Sequence, residues 1–476
     1  MKHLLIAAAA LLILFQLGGL LWLSNNDIKT DSFARLLEPP PRSIQNPYRN
    51  GYFYLFGLTT SPSLDPAKTG YEIWVEESGY STLESLHRSK SSRSKLSLSD
   101  SVDSADEIWN APDPLVEFEK EPTISMPSAV PHLILLSRYE RWLGLPFEDW
   151  GFSRRIPALY REIVAVHRLY VAKGFRLGTG EGFERLRKDL LFWRSILREA
   201  KTVGTKVLAQ VIITDNLQLL SKMLAKPLVD ARILIMGMQF TLPLSESDYS
   251  LRWPIRHQLA LAVRESRASA EPPGDSVGTS KSEEEWLIGT ANLPAHAFEA
   301  VKHPSTRSFL GATFHSVDAR DTYAAYYEAL IHASESRALH LPRMRELISG
   351  LNRGLLEQLI NPTPVEPEWN LLYRQVIETD TRLRLASLQI QLRRPSLHIA
   401  VPTRLAQVGS QYYDPFTGLP MLWSQTQQKV YSTGPDRLDD GGDPTFDISV
   451  PAIVSNHGLT PKEPIAVERA PHASRK

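Results

Sequence analysis

The chain opens with an apolar run, residues 4–23, that contains no charged side chain and follows the short cationic start Met1-Lys2-His3. At about 1.5 Å per residue such a run makes roughly 30 Å of helix, which matches the hydrocarbon core of a bilayer. No second run of this kind follows. The pattern predicts a transmembrane anchor over 1–24 and one large body behind it. A secretory signal has a shorter apolar stretch and small residues at its exit. Here the exit reads Leu21-Trp22-Leu23-Ser24, which favours an anchor that is kept. Trp22 falls where an interfacial aromatic belongs.

Residues 25–131 read as a spacer and partly disordered segment. Glu38-Pro39-Pro40-Pro41 is stiff and extended. The aromatic patch at 50–58, Asn-Gly-Tyr-Phe-Tyr-Leu-Phe-Gly-Leu, is either a short strand or one helical turn. The stretch 78–104 is rich in serine and basic residues, a disordered composition, and 112–131 is Pro/Glu-rich and reads as loop.

A helical body is expected over 132–400, with the clearest period from 153 to 394. Between 181 and 226, Phe183, Leu186, Leu190, Trp193, Leu197, Ala200 and Val207 recur at spacings of three, four or seven, so one helix face is apolar. Further helices are expected at 256–266, 321–337, 343–360 and 368–393, with a polar loop at 266–285. After 401 the character changes. Residues 401–455 form a turn-rich β segment in which Met421-Leu422-Trp423 and Lys429-Val430-Tyr431-Ser432 pair as a hairpin. Residues 456–476 are a tail. The expected fold is mainly α: an irregular multi-helix body with a small C-terminal β-hairpin, behind one N-terminal transmembrane helix.

Lysine plus arginine and aspartate plus glutamate number 53 each. A neutral chain of this kind argues against a nucleic-acid partner, which selects for a basic face. The absence of cysteine removes disulfides, thiolate nucleophiles and cysteine-ligated metals. It also suits an oxidising compartment, where a lone thiol is a hazard.

The thirteen histidines are scattered, none closer to the next than His296 is to His303. No helical metal pair and no H-E-x-x-H exist, nor a nucleophile elbow, a Walker loop or a dinucleotide fingerprint. The S-x-x-K match Ser92-Arg93-Ser94-Lys95 lies in the serine-rich stretch with no helix to present it. Tyr323, Tyr326 and Tyr327 share a predicted helix and read as core and rim aromatics. Glu283-Glu284-Glu285 reads as a solvated helix start.

The most site-like stretch is Gly434-Pro435-Asp436-Arg437-Leu438-Asp439-Asp440-Gly441-Gly442-Asp443, followed by Asp447. Carboxylates on a Gly-rich turn supply the hard oxygen ligands that Ca²⁺ takes, so Asp436, Asp439, Asp440 and Asp443 are the candidate calcium ligands. EF-hand spacing fails, because Leu438 occupies the third position. With Asp414-Pro415-Phe416-Thr417-Gly418, this stretch resembles the C-terminal end of type II secretion pseudopilins. That resemblance implies a turn followed by a calcium-holding loop. The pseudopilin N-terminus is absent, so the likeness covers the C-terminal forty or so residues alone. A solvated turn without metal is the competing reading.

Residues 50–58 with Asp65-Pro66, Asp189-Leu190-Leu191-Phe192-Trp193-Arg194 and the C-terminal turn together resemble a family of uncharacterised single-pass envelope proteins of Gram-negative bacteria. The resemblance implies an inner-membrane protein with a periplasmic body, and carries no activity. The expected function is a membrane-anchored, non-enzymatic binding or scaffolding component of the envelope, held in the membrane through residues 4–23 and meeting an envelope protein partner. The alternative is a tethered hydrolase whose site assembles only in three dimensions.

Overall fold

The computed structural model describes residues 32–78, 108–120, 130–152, 160–268, 317–342, 369–394 and 399–454. The anchor, most of the serine-rich stretch, the helix expected at 343–360 and the tail lie outside these residues. Among the described residues no helix is long and apolar enough to cross a membrane. The chain is mainly helical and divides into two units. The first comprises 1–220 and 244–382, the second 221–243 and 383–476.

In the first unit α1 (32–37), α2 (Gly51–Phe56) and α3 (Pro66–Ser78) stand where the sequence suggested a spacer. The aromatic patch is a helix rather than a strand because Asn50 starts it. The Asn50 side-chain oxygen accepts from the Tyr52 and Glu148 N–H groups, and its amide donates to the Glu148 carbonyl. Tyr52, Phe53, Trp74 and Trp150 then form an aromatic cluster with edge-on ring contacts. Two glycines let α2 and α3 touch backbone to backbone. A Cβ on Gly70 would lie 1.8 Å from the Phe53 carbonyl oxygen, and one on Gly57 would lie 1.9 Å from that of Pro66.

A loop was expected over 112–131, but α4 (Pro114–Lys120) forms there, followed by α5 (Val130–Trp142). The reason is local: Asp113 accepts from the Val116 N–H, and Pro114 takes the first helical position, where its missing N–H costs nothing. From α5, the Arg138 guanidinium donates to the carbonyls of Leu58, Thr60, Ser61 and Leu64 and so fixes the turn leaving α2.

The long amphipathic stretch 181–226 is two helices, α7 (Thr179–Glu199) and α8 (Val203–Leu224), preceded by α6 (Tyr160–Leu177). The apolar period continues across the break, so periodicity alone hides it. Ala200 leaves helical geometry, Thr202 caps the next helix through the Thr205 N–H, and the buried Asp149 carboxylate accepts from the Lys201 N–H between them. Next come α9 (Ala231–Phe240), which belongs to the second unit, and α10 (Glu246–Tyr249), which starts with a reciprocal capping box from Ser245 and Asp248. Then follow α11 (Arg252–Ala268), α12 (Val317–Glu335) and α13 (Trp369–Leu392).

In the second unit the last turns of α13 meet α9 on one side, through Gly237 and Ile390, and pack against α14 (Val401–Gln407), a helix inside the stretch expected to be turns and strands. Pro402 in its first turn again suits a helix start. The expected hairpin forms from β1 (Leu422–Ser424) and β2 (Lys429–Ser432), with Trp423 opposite Val430. A third strand, β3 (Ile448–Pro451), adds to the other edge of β2 with Val450 opposite Val430. Leu385, Leu388, Leu392, Leu405, Met421, Val430 and Val450 build this unit's core.

The close approach of α2 and α3 sets an expectation. Gly70→Ala drives a methyl into the Phe53 carbonyl, and such overpacking costs about 3 kcal/mol. Urea denaturation should show that loss at unchanged slope, whereas Gly180→Ala, whose Cβ meets nothing within 4 Å, should leave the midpoint near or above that of the wild type.

Candidate functional site

The acidic loop joins β2 to β3. Gly434, Gly441 and Gly442, with Arg437, take positive φ, so the chain folds back on itself repeatedly and brings amide groups to the aspartates. The Asp436 side chain accepts from the Leu438 N–H at 3.1 Å, Asp439 from Gly441 at 3.0 Å and Asp443 from Thr445 at 2.9 Å. These are Asx turns, in which each carboxylate serves the backbone two residues on. Asp439 also accepts from the Tyr431 hydroxyl at 2.9 Å. Among the described residues no three His, Asp or Glu side chains gather in the way a metal ion requires.

Asp447, which follows the run in the sequence but was not among its four candidate ligands, is the buried member of the loop. One carboxylate oxygen accepts from the Gly442 N–H at 2.7 Å, while the other is buried without a hydrogen-bond partner. Burial raises its pKa, and the nearby charges of Asp440 and Asp439 raise it further. The Asp414 turn is closed by backbone bonds between Asp414 and Leu419 and from Gly418 to Asp414, and the Asp414 side chain accepts from the Phe416 N–H. Burial raises the Asp414 pKa as well.

A larger polar constellation lies inside the first unit, on four helices. From α7, Asp189 accepts the Tyr139 hydroxyl of α5 at 2.6 Å and the Asn216 amide of α8 at 2.7 Å. The His167 Nδ1 of α6 lies 2.8 Å from the same carboxylate, off the straight hydrogen-bond line. Its Nε2 faces Asp215 at 3.9 Å, and Asp215 accepts from Arg168 Nε at 2.8 Å. Trp193, one turn beyond Asp189 on α7, donates to the Tyr139 oxygen at 2.8 Å. Asp189, His167 and Asn216 are all 0% exposed. Burial, and then the Asp189 charge, hold the Tyr139 pKa well above its ordinary value.

A Tyr–Asp–His chain is the type of arrangement that moves protons in active sites. Here it is sealed by α4 to α8, with Trp109 against the imidazole at 5.4 Å. In this conformation its effect is to hold helices together. Lys206 behaves alike: all three hydrogens of its ammonium find carbonyls, those of Leu197, Asp248 and Ser250. Burial lowers its pKa to about 7, a value seen in nucleophilic lysines, yet those three bonds direct it at the backbone.

The segment 189–194 stood out in the sequence as a pattern without a role; the structure gives Asp189 and Trp193 one. His167 gave no signal, because its partners lie on other helices. Tyr326 is buried with its ring 5.4 Å from that of Tyr327, as expected for core and rim aromatics. Comparison of this chain with protein-family models, with curated proteins and with solved structures finds no match.

Breaking the network should be costly. Asp189→Ala leaves buried partners unpaired and should destabilise the chain by about 3–5 kcal/mol. Tyr139→Phe should remove about 1–2 kcal/mol. A double-mutant cycle by denaturant melts should show strong coupling between the two positions, and additivity would mean that the contact is energetically idle.

A second expectation concerns acid. Burial lowers the His257 pKa from 6.5 to about 3. The unfolded chain takes up its proton near pH 6.5 while the folded ring stays neutral, so stability falls as pH drops from there toward 3. Melts at pH 7 and pH 5 should show that loss in the wild type and a smaller one in His257→Asn.

Proposed function

We propose that this protein is a membrane-tethered component of the bacterial envelope, with its body on the periplasmic side, that binds or scaffolds another envelope protein without chemistry of its own. One observation carries this reading. The groups best suited to chemistry, Asp189, His167, Tyr139 and Lys206, are buried, and Asp189, Tyr139 and Lys206 spend their hydrogen bonds on holding helices. That use of polar groups gives a body one fixed shape, as a binding platform requires. The tether rests on the length and flanks of residues 4–23, and the location on the resemblance to single-pass envelope proteins.

The hydrolase reading keeps one supporting observation, an imidazole between two carboxylates with a tyrosine on one of them. The two readings part in one experiment. Crosslinking the full-length protein in native membranes should capture a reproducible envelope partner, and Asp189→Asn should weaken capture only in proportion to its loss of fold. No reproducible partner, together with hydrolytic turnover abolished by His167→Gln in a variant that keeps its helical signal, would establish the enzyme instead.

Calcium at the acidic loop is a separate proposal within this reading. As arranged, Asp436, Asp439 and Asp443 serve their own turns, so an ion requires Asp439 and Asp440 to swing toward the unpartnered oxygen of Asp447. Calorimetric titration should then give heat, and the melting temperature should rise by mass action. Neither signal, in wild type or in Asp447→Asn, leaves an Asx-turn loop without metal.

A further inference from the structure

We propose that the second unit binds the second unit of another copy of this chain head to tail, with its basic end against the other copy's acidic loop. This goes beyond an envelope protein as partner and needs neither the tether nor calcium. The basic end gathers around the last turn of α13. The Arg393 guanidinium donates to the carbonyls of Leu224 and Pro227, which brings the loop between α8 and α9, with Lys226, against that turn. Arg404 of α14 donates to the carbonyls of Gln391 and Arg394. Lys226, Arg393, Arg394 and Arg404 therefore stand together at a helix C-terminus, where the backbone dipole favours cations. A carbonyl accepts from a guanidinium without cancelling its charge. Leu228, two positions beyond Lys226, is 94% exposed at this end.

The unit is near charge balance as a whole, but its charges are sorted along its length. The described residues 221–243, 383–394 and 399–409 hold seven basic side chains and one acidic one, Asp230, whereas 410–454 hold two basic and six acidic. Two rulers keep the ends apart. Arg384 donates to the Tyr413 carbonyl, and the next residue, Asp414, accepts from Thr433 at the entry to the acidic loop. Arg393 stands nine residues further along α13, about 14 Å at the helical rise. Strand β3 runs the same way. It leaves the acidic loop at Ile448, and at its far end the Pro451 carbonyl accepts from Gln389, which also donates to the Ser221 carbonyl near the end of α8. In the loop Asp436, Asp439, Asp440 and Asp443 are all exposed, and Leu438 among them is 64% exposed. The Asx turns of Asp436, Asp439 and Asp443 engage backbone N–H groups and leave the charges in place. Each end thus presents an exposed leucine among charges mainly of one sign. Ends of the same kind repel and opposite ends attract, and a second copy carries the complementary end by construction. A contact between two different surfaces does not close on itself, so it extends into rows of copies.

The lack of cysteine makes this contact readable. Two differently tagged full-length chains, one with Leu228→Cys and the other with Leu438→Cys, are expressed together and treated in native membranes with a short bis-maleimide. The expected result is a 228–438 crosslink well above the 228–228 and 438–438 products. It should also exceed the pairing of 438 with Leu177→Cys, which is 67% exposed on the first unit. High salt should abolish the excess. Lys226→Glu/Arg394→Glu in the first chain, or Asp436→Lys/Asp440→Lys in the second, should bring the yield down to the Leu177→Cys background. The two double variants together should restore it, because the ends then attract with their signs exchanged. The proposal falls if the 228–438 yield stays at background or if same-end products dominate. It also falls if the exchanged pair gives no recovery while both variants keep the wild-type melting temperature. Where a variant melts lower, the salt response of the unexchanged pair decides, and a yield unchanged in high salt overturns the proposal. Leu228→Cys crosslinked to a different protein in place of a second copy overturns it too. Capture of an envelope partner elsewhere on the chain gives products without the second tag, so that reading and this one fail independently.

Discussion

Asp189 imposes the constraint on which the first unit depends. A carboxylate with no exposure to water is costly unless every lone pair meets a donor. Tyr139 and Asn216 donate to Asp189 from two other helices, and the His167 ring stands against it from a third. Each must hold its position to within a few tenths of an ångström, so α5, α6, α7 and α8 have little freedom to slide. Apolar packing drives these helices together, since Leu186, Leu190, Trp193 and Ile196 are all fully buried. Packing of that kind tolerates many registers. The hydrogen-bond geometry around one charge selects among them, which is why a polar core serves shape even where its net contribution to stability is small.

The same economy recurs at the joints. Arg138 satisfies four carbonyls of the turn after α2, Lys206 three at the ends of α7 and α10, and Glu148 the N–H groups of Ser43 and Ile44. In the last case burial opposes ionisation, but those backbone donors win and hold the Glu148 pKa below its ordinary value. Irregular segments carry unpaired backbone groups, and a long charged side chain closes them without added secondary structure. Short linkers that read as spacers in the sequence are therefore fixed by single residues far along the chain.

That dependence on distant partners explains what the sequence disclosed. The helical body was legible because amphipathic period is local: α11 and α13 lie within a few residues of expectation. The hairpin was legible from two short strand-like runs set between turn-rich stretches. The break between α7 and α8 was not, because the apolar period runs through it, and the interruption is held by Asp149, about fifty residues upstream. Strand β3 ends on a proline and follows a Gly/Asp-rich loop, so it read as more loop, and α4 was hidden by proline-rich composition. For the site, the aspartates of the acidic loop were visible as a run. Asp447 was visible behind that run, but its burial, which sets it apart from the other four, is a product of the fold. The Tyr139–Asp189–His167 network was invisible in principle, since its members stand 28, 22 and 50 residues apart and only the fold makes them neighbours.

Function has to be sought on what these constraints leave outside. The Asp189 carboxylate and the Lys206 ammonium are consumed by the body's own helices and backbone, while leucines such as Leu177, Leu228 and Leu438 stand exposed. Scattered singly, such residues need no explanation. Ile235 is held out by its helix, because α9 is anchored on its other side, where Gly237 packs against Ile390 and Thr241 bonds Ser387, and cannot rotate to hide it.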